Sequence, residues 1–230
     1  MSPSQPHFRP ALFHFLKELK KNNNREWFQA NKHRYDREVR EAAQQFISDF
    51  GPYLRKISPH FNADPRPSGG SLFRIYRDIR FSKDKSPYKT HTGIQFRHKQ
   101  ARDVHAPGFY LHLEPGGVFA GLGIWHPDST SLEKIRQTIV SQPAEWKRLK
   151  ANKRFRKHFD LGGDSLKRAP KGYDPEHPLI EDLKRKDLVA YATFAQKAVT
   201  APGFLESYVA VCRAGAPFVR FLCDAVGVPF

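Results

Sequence analysis

Residues 74–89 read Arg-Ile-Tyr-Arg-Asp-Ile-Arg-Phe-Ser-Lys-Asp-Lys-Ser-Pro-Tyr-Lys, six cations around two aspartates. If residues 71–81 are extended, Arg74, Tyr76, Asp78 and Arg80 share one face, and Phe73, Ile75, Arg77, Ile79 and Phe81 share the other. Arg77 is the odd member of an apolar face, so it must be paired within the fold or aimed at an entering ligand. Ser82–Pro87 reads as a tight turn in which Asp84 can accept backbone amides and Pro87 stiffens the exit. Guanidinium forks and ammonium point charges converging on a rigid turn suit a phosphate or carboxylate. The candidate anion-binding residues are therefore Arg74, Arg77, Arg80, Lys83, Lys85, Tyr88 and Lys89. The competing reading is a self-neutralising network of Arg77, Asp78, Arg80, Asp84 and Lys85 with no ligand.

A second constellation lies on the run ending at Glu114. Strand alternation places Tyr110, His112 and Glu114 on one face and Phe109, Leu111 and Leu113 on the other. His112 and Glu114 are the candidate acid/base pair. They could also be two ligands of a metal with His91 or His105 as a third, but the chain has no H-x-x-x-H or H-E-x-x-H pattern, and neither a metal nor a cofactor is assigned. On the following run Phe119, Gly121, Gly123 and Trp125 share a face, either a shallow platform for a ligand or the seat of a packed helix. If the two runs form a hairpin, these faces adjoin, and the basic turn can complete a pocket. The P-loop, dinucleotide-fingerprint and nucleophile-elbow motifs are absent, which disfavours P-loop, Rossmann and α/β-hydrolase chemistry.

The elements that must position these groups follow from periodicity. Leu12, Phe15, Leu16 and Leu19 mark an amphipathic helix that Asn22-Asn23-Asn24 ends, and a longer helix is expected over 25–49, interrupted at Gly51-Pro52. Four strands are expected at 71–76, 90–97, 108–114 and 118–125, the last two joined by Pro115-Gly116-Gly117, with a fifth at 187–195. After Trp125 the helical period returns, with Thr130-x-x-Glu133 as a capping box, and 161–178 reads as an ordered loop. An apolar helix over 203–226, kinked at Pro217, closes the chain. The expected class is α+β: a central, mostly antiparallel sheet of about four to five strands with helices from both outer thirds packed on it. A single domain is expected over 8–228, behind a flexible 1–7.

The 230 residues carry 39 Lys and Arg against 23 Asp and Glu, a net charge of +16. That excess is local. Residues 74–103 hold nine cations against three acids, and 147–171 hold ten against two, so two segments carry 14 of the 16 units. Cys212 and Cys223 stand eleven residues apart in one helix, roughly 16 Å, too far for a disulfide, and read as buried free thiols in a reducing, cytoplasmic setting. No run reaches the roughly 18 apolar residues of a membrane span, and residues 1–10 lack the apolar core of a secretion signal.

Asn23-x-Arg25-x-Trp27-Phe28, the whole of Arg74-x-x-Arg77-Asp78-x-Arg80-Phe81-Ser82-Lys83-Asp84-Lys85-Ser86-Pro87-Tyr88-Lys89, Ala106-Pro107-Gly108-x-Tyr110 and Leu166-Lys167-Arg168-Ala169-Pro170-Lys171-Gly172-Tyr173 occur in that order. Over about residues 8–195 the chain resembles a family of bacterial and fungal conserved proteins catalogued only as a domain of unknown function. The resemblance implies one soluble domain over most of the chain, with no reaction or catalytic residue to carry over.

Three functional expectations result. The first is a phosphate-bearing ligand, nucleic acid above all, bound through the basic turn, because counterion release rewards clustered cations. The second is an enzyme for a small anionic substrate, phosphorylated or carboxylated, with Arg77, Arg80 and Lys89 clamping the anion and His112 or Glu114 moving a proton. The third is a structural or partner-binding protein whose charge only keeps it in solution.

Overall fold

A computed structural model describes residues 5–100 and 106–230. Arg102, Asp103 and His105, together with residues 1–4 of the expected flexible terminus, lie outside the described residues. Helix α1 (Pro10–Lys21) buries Leu12, Phe15, Leu16 and Leu19. The three asparagines that end it each have a task. Asn22 donates to the Glu18 carbonyl, Asn23 makes two hydrogen bonds to the backbone of Tyr88, and Asn24 caps α2 (Arg25–Ala30) by accepting from Trp27 N–H.

The expected single helix over 25–49 is divided. The Asn31 amide donates to the Trp27 carbonyl and closes α2, after which α3 (Lys32–Arg34) and a π-helical stretch (Tyr35–Glu41) lead into α4 (Ala42–Ile57). Contrary to the expected interruption, α4 runs through Gly51-Pro52. Burial of Phe46, Ile47, Phe50 and Leu54 outweighs the single lost donor at an exposed proline.

The sheet is antiparallel throughout, in the order β1-β2-β3-β5-β4, with β1 (Thr92–Arg97), β2 (Gly108–Leu113), β3 (Val118–Ile124), β4 (Asp160–Gly162) and β5 (Leu188–Phe194). The expected strand at 71–76 is not continuous. Residues 71–73 bond to β1 through Phe73 N to Gly93 O (2.9 Å) and Gln95 N to Ser71 O (2.8 Å). From Ile75 the chain turns back on itself instead, with Lys89 N to Ile75 O (2.7 Å) and Arg77 N to Pro87 O (2.9 Å). The basic turn is thus the tip of a hairpin-like loop hung from the β1 edge.

One sheet face carries Ile94, Phe96, Phe109, Leu111, Ala120, Leu122, Ala190 and Ala192, all buried. Against it pack α4, through Phe50 on Phe96 (4.6 Å between ring centres), and α10 (Phe204–Val226). Helix α10 runs through Pro217 without ending there, and Gly215 lets it settle on β3, since a Cβ at that position would come within 2.0 Å of Leu122 Cδ2. Helices α5 (Ser129–Ser141), α6 (Pro143–Ala151) and α7 (Lys153–His158) surround α10, and the short α8 (Ile180–Leu183) and α9 (Gln196–Val199) flank β5. The cap of α5 is Asp128, which accepts from Thr130 and Ser131 N–H; Thr130 is already helical. Cys212 and Cys223 are buried free thiols, as expected. Among the described residues no helix is long and apolar enough to cross a membrane.

Candidate functional site

The opposite sheet face is built from rows fixed by the strand register: Gly93, His112, Phe119 and Thr193 in one, Gln95, Tyr110, Gly121 and Tyr191 in the next, Gly108, Gly123 and Val189 in the third. Aromatic rings therefore stand beside bare backbone. The result is a cleft of about 430 Å³ with a floor of Gly108, Gly121 and Gly123, aromatic walls including Phe73, Tyr110 and Trp125, and polar groups from Lys89, His91, Gln95 and His112. The platform expected from Phe119, Gly121, Gly123 and Trp125 is part of this cleft, because α10 takes the other side of β3.

His112 is the most constrained group. Its ring stacks between His91 and Phe119, each 4.6 Å away. Its Nε2 lies 3.3 Å from Glu114 Oε2 and its Nδ1 lies 3.0 Å from Tyr110 Oη. A carboxylate only accepts, so Nε2–H donates to Glu114, and Nδ1 accepts the Tyr110 hydroxyl proton. Gly93 makes this geometry possible, since a Cβ there would stand 2.6 Å from Tyr110 Oη. Burial pushes the His112 pKa down, opposed by Glu114, and pushes the Tyr110 pKa up. His91 is pushed down to about 4, by burial first and then by the neighbouring His112, Lys89 and Arg77, with Glu114 opposing. The donor atoms of His91, His112 and Glu114 lie within 4.8 Å of one another. His105, the other partner considered for this pair, is outside the described residues.

Of the seven anion-binding candidates, only Lys89 lines the cleft. Its ammonium donates to the Arg74 carbonyl at 3.0 Å, lies 5.4 Å from the Phe73 ring centre, and has its pKa lowered by burial and then by Arg74. Among the described residues no carboxylate pairs with it. The rest of the turn is largely occupied internally. Arg77 pairs with Asp84, whose carboxyl Ser86 and Arg77 hold well below its ordinary value. Arg80 forks onto Asp78 at 3.0 and 2.7 Å and draws its pKa down to about 2. Lys85 donates to the Ile79 carbonyl at 3.0 Å, while Arg74 and Lys83 are exposed. Tyr88 is buried in the core, stacked on Phe28 at 4.1 Å. The signature run therefore shapes a loop that presents Lys89 to the cleft and holds Arg74, Arg80, Lys83 and Lys85 at the surface.

Pattern reading also missed Asp187. It is buried and accepts from the backbone N–H groups of His126 (2.7 Å) and Asp164 (2.8 Å), tying the end of β3 to the chain after β4. Nothing local marks it, because its partners lie 61 and 23 residues away.

Fold and site together define an α+β domain whose antiparallel sheet is helix-packed on one face and forms an aromatic cleft on the other. The chain belongs to the DUF2461 family of conserved hypothetical proteins, matched over residues 11–221. No curated protein matches it.

Proposed function

We propose that the cleft binds a small anionic substrate and that the Tyr110–His112–Glu114 chain moves a proton on it. The observation that carries this reading is Lys89: a half-buried ammonium on the wall of an aromatic cavity, without a carboxylate partner among the described residues. Burying a cation costs free energy unless something compensates it, and an entering carboxylate or phosphate would do so. The glycine floor admits a flat group against Tyr110 and Tyr191, and Arg77 adds a positive field at His91. Tyr110 Oη takes a proton from the bound substrate as it passes its own hydroxyl proton to His112 Nδ1, and Glu114, accepting from Nε2–H, stabilises the imidazolium that forms.

Saturation-transfer NMR with benzoate, phenyl phosphate and uncharged benzyl alcohol tests the binding step. Both anions are expected to bind, and Lys89→Met is expected to weaken them at least tenfold. Equal binding of the alcohol, or unaltered binding in Lys89→Met, overturns the reading.

One observation favours the nucleic-acid reading as a second. Phe81 is 96% exposed at the loop tip, with the Arg80 guanidinium 5.8 Å from its ring centre, a stacking surface beside cations. A labelled single strand whose affinity drops in Phe81→Ala would support it, and no binding at low salt would remove it.

A further inference from the structure

We propose that His91, His112 and Glu114 form a two-histidine, one-carboxylate site for a single divalent transition-metal ion at the edge of the cleft. This goes beyond the anion site at Lys89 and does not depend on it; the Tyr110–His112–Glu114 proton chain describes the metal-free protein, and loading replaces it at His112 and Glu114. The sheet itself brings the trio together. Thr92 pairs with Leu113 and Gly93 with His112, so His91 and Glu114 stand one step beyond the last pair of the same ladder, with His112 diagonal to His91. Their donor atoms lie within 4.8 Å of one another. Metal–ligand bonds of about 2.1 Å in a tetrahedral shell need donors about 3.4 Å apart, so loading must draw the trio together. The freedom for this lies with His91, which precedes β1 on a loop, whereas His112 is held by its strand and stacked rings.

Two further features fit ligation. Among the described residues no hydrogen bond reaches the His91 ring, so a half-buried imidazole offers its lone pair to no other group. The Tyr110 hydroxyl, 3.0 Å from His112 Nδ1, stands where the outer partner of a metal-bound histidine belongs. On loading, the His112 proton relocates from Nε2 to Nδ1 and is donated to Tyr110 Oη, whose own proton turns toward the cleft. Nε2 and the Glu114 carboxylate then face the ion, and no electron transfer is involved. No other His, Cys, Asp or Glu among the described residues joins the group, so at least one coordination position stays open toward the cleft, as in a catalytic rather than a closed structural site. Two neutral imidazoles and one carboxylate suit zinc or ferrous iron.

The test is calorimetric titration of the chelator-stripped protein with Zn²⁺ and, anaerobically, with Fe²⁺, each repeated on His91→Ala and on the nearly isosteric Glu114→Gln, with thermal melts of every variant. The expected result is one ion per chain for at least one of the two metals, weakened at least tenfold in both variants while they still melt cooperatively; the tighter ion identifies the metal. Absence of a one-to-one isotherm with either ion overturns the proposal, as does equal affinity in the folded variants, which would mean adventitious capture by other histidines. Benzoate binding measured on the same stripped samples separates this outcome from the fate of the Lys89 reading: loss of metal with benzoate retained removes only the metal site.

Discussion

Lys89 and Arg80 belong to the same sixteen-residue run and have opposite fates. Arg80 is neutralised by a carboxylate two residues away, while Lys89 reaches over Phe73 into the cleft. Their difference was not legible in the run, because both are cations in a polar stretch and only the pairing decides which charge remains available. The His112–Glu114 pair was legible by alternation, and the arrival of His91 beside it was not singled out from His105. A folded-state pKa of about 4 for His91 has a stability consequence. Between pH 6.5 and about 4 the unfolded chain binds a proton that folded His91 refuses, so stability is fully present above this window and falls as pH drops through it. His112, Glu114, Lys89 and Arg77 face the ring and contribute, His112 in the same direction. Urea titrations at pH 7 and pH 4.5 are expected to show the wild type losing on the order of 2 kcal/mol more than His91→Gln. Equal losses would show that His91 titrates normally. For Asp187, Asp187→Ala leaves the part-buried N–H groups of His126 and Asp164 without their acceptor and is expected to cost about 2 kcal/mol in the same assay, at unchanged m-value.

At the element scale, periodicity located α1, the hairpin β2–β3, β5 and α10, since each has a long apolar pattern of one period. It misplaced boundaries where tertiary bonds intervene. The expected strand at 71–76 changes partner at Arg74, and the helix expected over 25–49 is broken by one asparagine side chain. Proline at 52 and 217 ends neither helix, because the buried faces of α4 and α10 are worth more than one backbone bond each. Packing of α10 on β3 gives a sharp prediction. Gly215→Ala gains about 1 kcal/mol of helix propensity, but its methyl would overlap Leu122 and crowd Phe159, an overpacking cost of about 1–3 kcal/mol, so net destabilisation is expected in chemical denaturation. The thiols of α10 are pushed far up by burial, Cys223 to about 12, so neither Cys212 nor Cys223 is expected to react with a thiol reagent until guanidinium unfolds the chain.

At the scale of the whole molecule, the net charge of +16 becomes a question of how many cations are free to act together. Much of the first basic segment pairs with its own aspartates or carbonyls, whereas residues 147–171 keep most of their cations exposed. Salt dependence separates the two functional readings. A single anion at Lys89 is expected to lose only a few-fold in affinity between 50 and 200 mM salt, while a polyanion held by six to ten phosphate contacts would lose about 10³–10⁵. Benzoate and a labelled oligonucleotide titrated at both salt concentrations measure the difference directly.

By itself the sequence determined the α+β class, the two-faced alternation of the strands, the placement of glycines beside aromatics on β3, the buried thiols and the concentration of charge in two segments. All of these follow from local period and composition, which a chain carries wherever it folds. Only the tertiary structure decided that the helices cover one face of the sheet and leave the other as a cleft. It also decided that Asp78 and Asp84 occupy Arg80 and Arg77, and that His91 meets His112 and Glu114 across the β1–β2 ladder. Those outcomes depend on register and on competition between possible partners, and both are settled by contacts that span tens of residues.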